Sequence, residues 1–231
     1  MLRVGLTGGL ASGKSTVAAC LRSLGAQLIE ADELGRALME PGQPVFAPIV
    51  EHFGPQVVAA DGRLDRAALA RMAFQEGRLQ ELNALIHPGV LQAQHKWMDA
   101  LFAQNPAAIA VVESALIFEV ERDARLRGET SGLLADWRSR IDKIIVVTAP
   151  EEVRIARYIA RVADAGLGRE AAEADARRRL IHQIPDAEKA ARADYVIENT
   201  GDLDDLRRKT SAIWGQLQSE NNDFAPPRSL E

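Results

Sequence analysis

The feature that most constrains the fold of this chain is the octapeptide 8–15, Gly-Gly-Leu-Ala-Ser-Gly-Lys-Ser, which has the spacing of a phosphate-binding loop. Gly8 and Gly13 allow the backbone to turn tightly and to approach phosphate oxygens, so that several N–H groups point inward. Lys14 can reach the β- and γ-phosphates of a nucleotide, and the Ser15 hydroxyl can ligate the Mg²⁺ that bridges them. The octapeptide therefore predicts a nucleotide site.

The segments on both sides of the loop support this interpretation. An apolar run that predicts a buried parallel strand precedes the loop, with Leu2, Val4 and Leu6. Apolar residues at helical spacing follow it, namely Val17, Cys20, Leu21 and Leu24. Gly25 then stands where a helix would end. The alternative, a flexible glycine turn with a chance Lys-Ser pair, does not explain this strand–loop–helix order.

Composition limits the class of protein. A chain of 231 residues with 47% apolar residues fits one elaborated α/β domain or two small ones, and we expect one core with helical insertions. The net charge of −5 argues against a nucleic-acid partner. The single cysteine, Cys20, cannot form an intramolecular disulfide, and we expect it to be a small core residue. With no apolar run near membrane length and no leader pattern, we expect a cytoplasmic protein without a membrane partner.

Four further apolar runs predict strands, at 26–31, 108–118, 144–147 and 195–197. Asp32 follows the first of these runs. Ligands collect at the carboxyl ends of parallel strands, so we expect Asp32 to lie near the phosphate-binding loop. An aspartate here can act in catalysis or cap the next helix, and the two roles are compatible.

Residues 45–102 show successive helical patterns with no convincing strand, which predicts a helical subdomain that holds a substrate. Apolar stripes at 79–86 and 97–102 are expected to be core. His87 precedes Pro88 and is either a substrate contact or a residue at a helix end. The charged, irregular stretch 119–140 predicts an exposed excursion.

Three further groups of residues offer candidate chemistry. Glu113, within the apolar run 108–118, is either a magnesium-site carboxylate or a charged residue at a strand end. Asn199, in a polar loop after the last strand, either contacts adenine or belongs to a plain turn. We expect Asp202 to cap the final helix and residues 222–231 to be a disordered tail.

Arginines and glycines between the fourth and fifth strands predict a lid. The residues concerned are Arg154, Arg157, Arg161, Gly166, Gly168, Arg169, Arg177, Arg178 and Arg179. Positive charge beside glycine hinges is the composition of a segment that closes over nucleotide phosphates. The alternative is a solvated basic face paired with Glu170, Glu173 and Asp175, which we expect to hold for most of these arginines.

In the order and spacing of its motifs the chain resembles the dephospho-coenzyme A kinases. The segments that carry the resemblance are 5–16, 31–36, 53–54, 61–66, 82–83, 87–88 and 193–199. The resemblance implies an α/β protein with the three-layer α/β/α fold of P-loop kinases, built on a five-stranded parallel sheet. It also implies one domain over 1–221, with a core (1–44, 107–150 and 190–221), a helical coenzyme-binding insertion (45–106) and a lid (151–189).

The resemblance further implies transfer of the γ-phosphoryl group of ATP, with Mg²⁺, to the ribose 3′-hydroxyl of dephospho-coenzyme A. Asp32, Lys14 and Arg161 match catalytic positions, Asp32, Arg36 and His87 lie on the acceptor side, and Ser15 ligates the metal. With the loop motif, it implies ATP binding by Gly8, Gly9, Ala11, Ser12, Gly13, Lys14, Ser15, Thr16, Arg157 and Asn199.

Some positions depart from the family pattern. Glu30 stands where the family usually has aspartate, and the segment 113–119 lacks the usual proline near Ala115. The stretches 119–140 and 162–182 are longer than usual, so Arg157 and Arg169 compete with Arg161 for the lid role.

A P-loop kinase for a nucleoside monophosphate or another small metabolite is the alternative function. A GTPase-like switch is a weaker one, because the sequence lacks a guanine-reading Asn-Lys-x-Asp segment. We expect a monomer or a weak homo-oligomer.

Overall fold

The computed structural model describes residues 1–163 and 168–223. One parallel sheet is formed by β1 (Leu2–Gly8), β2 (Gln27–Glu30), β3 (Ile109–Glu113), β4 (Lys143–Thr148) and β5 (Tyr195–Glu198). The strand order is β2-β3-β1-β4-β5, and Leu6 of the central strand lies opposite Glu113 on one side and Ile145 on the other. The predicted five-stranded parallel sheet is confirmed.

Helices connect and extend these strands. They are α1 (Lys14–Ser23), α2 (Ala31–Leu38), α3 (Phe46–Phe53), α4 (Arg66–Phe74), α5 (Leu79–Gln104), α6 (Ile117–Leu126), α7 (Glu151–Ala163), α8 (Arg169–Ile181), α9 (Asp186–Ala191) and α10 (Leu203–Asp223). Short 3-10 turns occupy Pro55–Val57 and Trp137–Ser139. Parallel strands need such crossover connections, since a tight turn cannot join them.

The sheet is the middle of three layers. Ile145 and Val147 of β4 lie in one cluster with α1 and α10, whereas Ile144 and Val146 lie in another with α6 and Trp137. The second half of α5 packs against β3 on the α6 side. Because both faces are covered, the strands read as continuous apolar runs, and each fully buried Ile or Val contributes about 1.5–3 kcal/mol. The three-layer α/β/α fold is confirmed.

The region predicted to be a helical insertion is helical. Helices α3, α4 and the first half of α5 bury their own cluster, which includes Ile49, Phe53, Leu69 and Met72. Asp65 caps α4 by accepting hydrogen bonds from the backbone N–H groups of the next turn. The two apolar stripes of α5 are core, as expected.

His87 lies inside α5 and not at a helix end, so that expectation was wrong. The helix continues through Pro88 although proline removes a backbone donor and favours a break. Packing supplies the reason, because the residues before Pro88 contact α3 and α4 while Met98 and its neighbours contact the sheet. A helix anchored at both ends tolerates the local penalty.

The stretch 119–140 is only partly an exposed excursion, because residues 125–134 are mostly exposed but residues 119–124 are mostly buried, and for these the prediction was wrong. It contains most of α6, in which the acidic residues Glu119, Glu121 and Asp123 are buried. Glu119 pairs with Lys189 of α9 at 2.7 Å. The sequence pattern indicated exposed charges because the basic residues that pair with these acids lie as much as 71 positions away along the chain.

Smaller differences concern α1 and the chain end. Leu24 is 36% exposed and Cys20 is half-buried, so the core face of α1 consists of Val17, Ala18 and Leu21 instead. Asp202 caps α10 as expected, since its side chain accepts from the N–H of the first turn. Helix α10 includes the first two residues of the predicted tail, and the rest of that tail lies outside the described residues, as does Gly166. Within the described ranges, no helix combines the length and apolarity that a membrane crossing requires.

Candidate active site

The octapeptide joins the end of β1 to the start of α1 at the carboxyl edge of the sheet. Gly8 has φ +151°, and a Cβ on it would lie 2.2 Å from the carbonyl oxygen of Val147. Gly13 has φ +104°, and its Cβ would lie 2.2 Å from the side chain of Asn199. Both positions therefore exclude any side chain, which explains the two glycines of the motif.

Residues far along the chain hold the loop in place. Asn199 Nδ2 donates to the Ser12 carbonyl at 2.7 Å, and Arg157 Nη2 donates to the Asn199 carbonyl at 3.3 Å. The backbone N–H of Leu10 donates to Gln183 Oε1 at 2.9 Å. Asn199 thus supports the loop and is more than a residue of a plain turn, and its contact with adenine stays a prediction.

A cavity of about 440 Å³, hereafter the loop cavity, opens beside the octapeptide. Loop residues 10–15 form one wall, and Ser15 and Thr16 are exposed in the first turn of α1. The remaining lining residues are mostly charged or polar, namely Glu30, Asp32, Glu33, Arg36, Glu113, Ser114, Ala115, Arg161, Arg179 and Gln183. Residues from five separate segments thus surround one polar space.

Lys14 contributes its side-chain ammonium group to the lining of the loop cavity. Its Nζ donates to the Gly9 carbonyl at 3.3 Å. Desolvation lowers the pKa of Lys14 below its ordinary value and outweighs the opposing effect of nearby Glu113. Desolvation likewise raises the pKa of Glu113, against the opposing charge of Lys14. An anionic ligand such as a phosphate would restore the preference of Lys14 for its charged form.

Asp32 lies in the first turn of α2 and is exposed. Glu30 occupies the N-cap position and makes no capping hydrogen bond through its side chain, so the capping interpretation of Asp32 was wrong. Glu30 instead pairs with Arg22 at 3.2 Å. The Asp32 carboxylate is therefore a lining group of the loop cavity, as the position after β2 predicted.

A second cavity of about 270 Å³, hereafter the apolar cavity, adjoins the first and shares Asp32, Arg36 and Ser114 with it. Its walls come from α2, β3, α5 and α6. The polar residues His87, Asn83, Gln94 and Arg140 also line it. The predicted acceptor-side residues Asp32, Arg36 and His87 are thus brought together here.

The arginines of the predicted lid divide into groups. Arg161 and Arg179 line the loop cavity, whereas Arg157 contacts Asn199 and Arg169 is exposed at the start of α8. Arg177 pairs with Glu173, Arg178 and Arg179 pair with Asp175, and Arg154 pairs with Asp186 at 3.2 Å. The basic-face interpretation is therefore confirmed for Arg177 and Arg178.

Sequence reasoning missed several residues around the two cavities. Ser114 and Gln183 line the loop cavity, and Lys189 Nζ donates to the Ala115 carbonyl in its wall. Arg140 lines the apolar cavity. None of these residues stands in a recognisable motif, because each is placed by a tertiary contact.

The donor set near Ser15 fits a magnesium ion bound mainly through nucleotide phosphates. The Ser15 hydroxyl shares the loop cavity with the carboxylates of Glu30, Asp32 and Glu113. Over the described ranges, no three His, Cys, Asp or Glu side chains are grouped as a protein-only metal site. Mg²⁺ commonly keeps several waters and takes one or two protein ligands besides phosphate oxygens.

Comparison with known proteins agrees with this geometry. The model of the dephospho-CoA kinase family matches residues 2–205. A dephospho-CoA kinase of Moorella thermoacetica is 38% identical over 228 residues, 98% of this chain and 97% of its own length. One of Anaeromyxobacter dehalogenans is 41% identical over 216 residues, 93% of this chain and 92% of its own.

Solved structures agree with the fold. The crystal structure of a Thermus thermophilus protein has a TM-score of 0.67 and 34% identity, with 94% of this chain and 97% of the other covered. A dephospho-CoA kinase from Campylobacter jejuni has a TM-score of 0.62 at 24% identity, with 94% and 98% covered, which supports the fold alone. The chain belongs to the dephospho-CoA kinase family and is a kinase of the P-loop type.

Proposed function

We propose that this kinase transfers the γ-phosphoryl group of ATP to the ribose 3′-hydroxyl of dephospho-coenzyme A, giving coenzyme A and ADP in the last step of coenzyme A synthesis. The observation that carries the proposal is the position of Asp32, which lines both the loop cavity and the apolar cavity. An acceptor bound in the apolar cavity can present a hydroxyl to Asp32 next to the phosphate-binding loop. We keep the division of the chain into a core, a helical coenzyme-binding insertion (45–106) and a lid (151–189) as part of this proposal.

In the proposed reaction the 3′-oxygen forms a bond to the γ-phosphorus while the bond from that phosphorus to the β–γ bridging oxygen breaks. Asp32 orients the hydroxyl and accepts its proton, and ADP leaves. Lys14 and Arg161 neutralise the charge that develops on the transferred group. Arg36 and His87 hold the acceptor.

ATP is bound in this proposal by Gly8, Gly9, Ala11, Ser12, Gly13, Lys14, Ser15 and Thr16, together with Arg157 and Asn199. Mg²⁺ would be held by Ser15 and by phosphate oxygens, and when bound it supplies further neutralisation of phosphate charge. A cytoplasmic location and a monomeric or weakly oligomeric state remain part of the proposal.

An acceptor screen tests the function. Purified protein with ATP and Mg²⁺ is assayed for ADP release with dephospho-coenzyme A, a nucleoside monophosphate or a small metabolite alcohol. We expect turnover to require dephospho-coenzyme A, and the product to carry phosphate on the ribose 3′-oxygen by NMR. Turnover no faster than the ATP-only background would contradict the proposal, as would faster turnover with another acceptor.

A further inference from the structure

Arg140 is a buried cation that the proposed reaction does not use. It follows the 3-10 turn Trp137–Ser139, is only 5% exposed, and lines the apolar cavity. Its Nε donates to the Leu133 carbonyl at 3.0 Å, but within residues 1–163 and 168–223 its buried Nη2 has no hydrogen-bond partner. Burial lowers the pKa of Arg140 to about 10, so the guanidinium is charged at neutral pH. An unsatisfied buried donor is costly, which points to a missing partner.

His87 is a second group of the same kind. Its Nδ1 is buried and lacks a hydrogen-bond partner among the described residues, and the residue lines the same cavity as Arg140. Desolvation lowers the pKa of His87 to about 4, against the opposing charge of Asp123, and the positive charges of Arg127 and Arg140 act in the same direction as desolvation. At neutral pH the imidazole is therefore neutral, with one donor and one acceptor nitrogen.

The remaining walls of the apolar cavity limit what can supply the missing partners. They are largely aliphatic, with Ile86, Val90, Leu91, Val112, Ile117 and Val120. A phosphate group among these side chains would lose its hydration with Arg140 as the one buried guanidinium, since Arg36, the other arginine of the lining, is exposed and is shared with the loop cavity. A heteroaromatic base is apolar on its faces and carries acceptor nitrogens on its edge, so it matches both the walls and the orphaned donor.

We propose that the apolar cavity binds the adenine base of the acceptor and that Arg140 is a specificity-determining residue, donating to a ring nitrogen of adenine beside His87. This inference rests on the proposed function, because Asp32 at the cavity mouth is taken to hold the ribose of the same nucleotide. Adenine offers ring nitrogens as acceptors and an exocyclic amine as a donor, which suits an arginine next to a neutral histidine.

The test uses Arg140→Met, which keeps an unbranched apolar side chain and removes the donors. With saturating ATP, we expect the KM for dephospho-coenzyme A to rise about 10-fold or more, while the KM for ATP stays within about twofold. Arg138→Met is the matched control, since Arg138 is exposed and stacks on Trp137. An unchanged KM for dephospho-coenzyme A in Arg140→Met would overturn the proposal.

Acceptors with 1-deaza-, 3-deaza- and 7-deazaadenine identify the atom that is recognised. In the wild-type protein we expect one of them to lose about as much affinity as Arg140→Met does, and the variant to lose nothing further with that analogue. If the variant instead weakens every analogue equally, Arg140 contacts the diphosphate and the base assignment is wrong. The deaza series with wild-type protein still decides the question if Arg140→Met does not fold.

The two proposals fail in different ways. If the wild-type protein turns over dephospho-coenzyme A and Arg140→Met does so equally well, only the base assignment falls. If the wild-type protein shows no turnover, the proposed function falls, and calorimetric titration of dephospho-coenzyme A into the two proteins decides the base assignment. Tighter binding by the wild-type protein that is lost with one deazaadenine analogue supports it, and equal binding by the two proteins overturns it.

Discussion

The loop cavity and the apolar cavity share Asp32 but are built in opposite ways. One wall of the loop cavity is the continuous stretch 10–15, and its other lining residues are mostly charged or polar. The apolar cavity is assembled from α2, β3, α5, α6 and Arg140, and its aliphatic walls carry two polar atoms, one on Arg140 and one on His87, that have no hydrogen-bond partner in the part of the chain that the structure describes. The proposed phosphate site is thus built locally along the chain, whereas the proposed acceptor site depends on packing.

The largest expected effect tests the residue that joins the two cavities. Asp32→Asn keeps the shape of the side chain but removes the proton acceptor, so we expect kcat to fall by about 10²–10⁴-fold with ATP affinity nearly unchanged. Steady-state kinetics and calorimetric titration of ATP measure the two quantities. Glu33→Gln, at the next carboxylate of α2, is the control. If Asp32→Asn has the turnover of the wild-type protein, Asp32 has no role in the mechanism.

The buried ion pair behind Ala115, in the wall of the loop cavity, provides the next test. Lys189 and Glu119 are 0% and 3% exposed, and Lys189 also donates to the Ala115 carbonyl at 3.2 Å. Lys189→Met leaves a buried carboxylate unpaired, so we expect the free energy of unfolding to fall by about 3–5 kcal/mol. Urea unfolding measures this loss. Arg177→Met, which removes an exposed pair, should leave the midpoint nearly unchanged, and equal midpoints for both variants would contradict the expectation.

The burial of His87 predicts a pH effect on stability. Its pKa falls to about 4 in the folded protein, whereas an unfolded histidine titrates near 6.5. Between these values the unfolded state binds more protons, so His87 makes stability rise with pH and contributes about 3 kcal/mol across the window.

The measurement compares denaturant unfolding at pH 7 and pH 4. His87→Gln should reduce the difference in unfolding free energy between the two pH values, with His95→Gln, on an exposed part of α5, as the control. If His87→Gln retains the full difference, the histidine is not held in a dry environment, and the contrast between the two cavities is weaker than proposed.

The smallest expected effect separates the two arginines of the loop cavity. Arg161→Met should lower kcat by about 10- to 100-fold. We expect no larger loss because a second arginine, Arg179, lies in the same cavity and can compensate part of the missing positive charge. Arg179→Met should have a smaller effect, since Asp175 already holds Arg179 Nε at 2.8 Å. Turnover numbers of the two variants decide the order, and a larger loss in Arg179→Met would reverse the assignment.

Where the deciding contacts are local, the sequence gives correct predictions. The octapeptide between an apolar run and a helical pattern predicts β1, the loop and α1, and the position after β2 brings Asp32 to the loop cavity. The catalytic and binding roles of these residues remain predictions. The errors fall where distant residues determine the environment, as at His87 inside α5 and at the buried acids of α6.

The sequence by itself determined the parallel α/β class, the phosphate-binding loop and the family, because glycine geometry and apolar periodicity act over a few neighbouring residues. Only the tertiary structure decided that Asn199 supports the loop, that Lys189 neutralises Glu119, and that Arg140 reaches the apolar cavity. The physical reason is that the burial of a side chain and the pairing of its charge depend on residues that are distant in the sequence and adjacent in the fold. No local pattern contains that information.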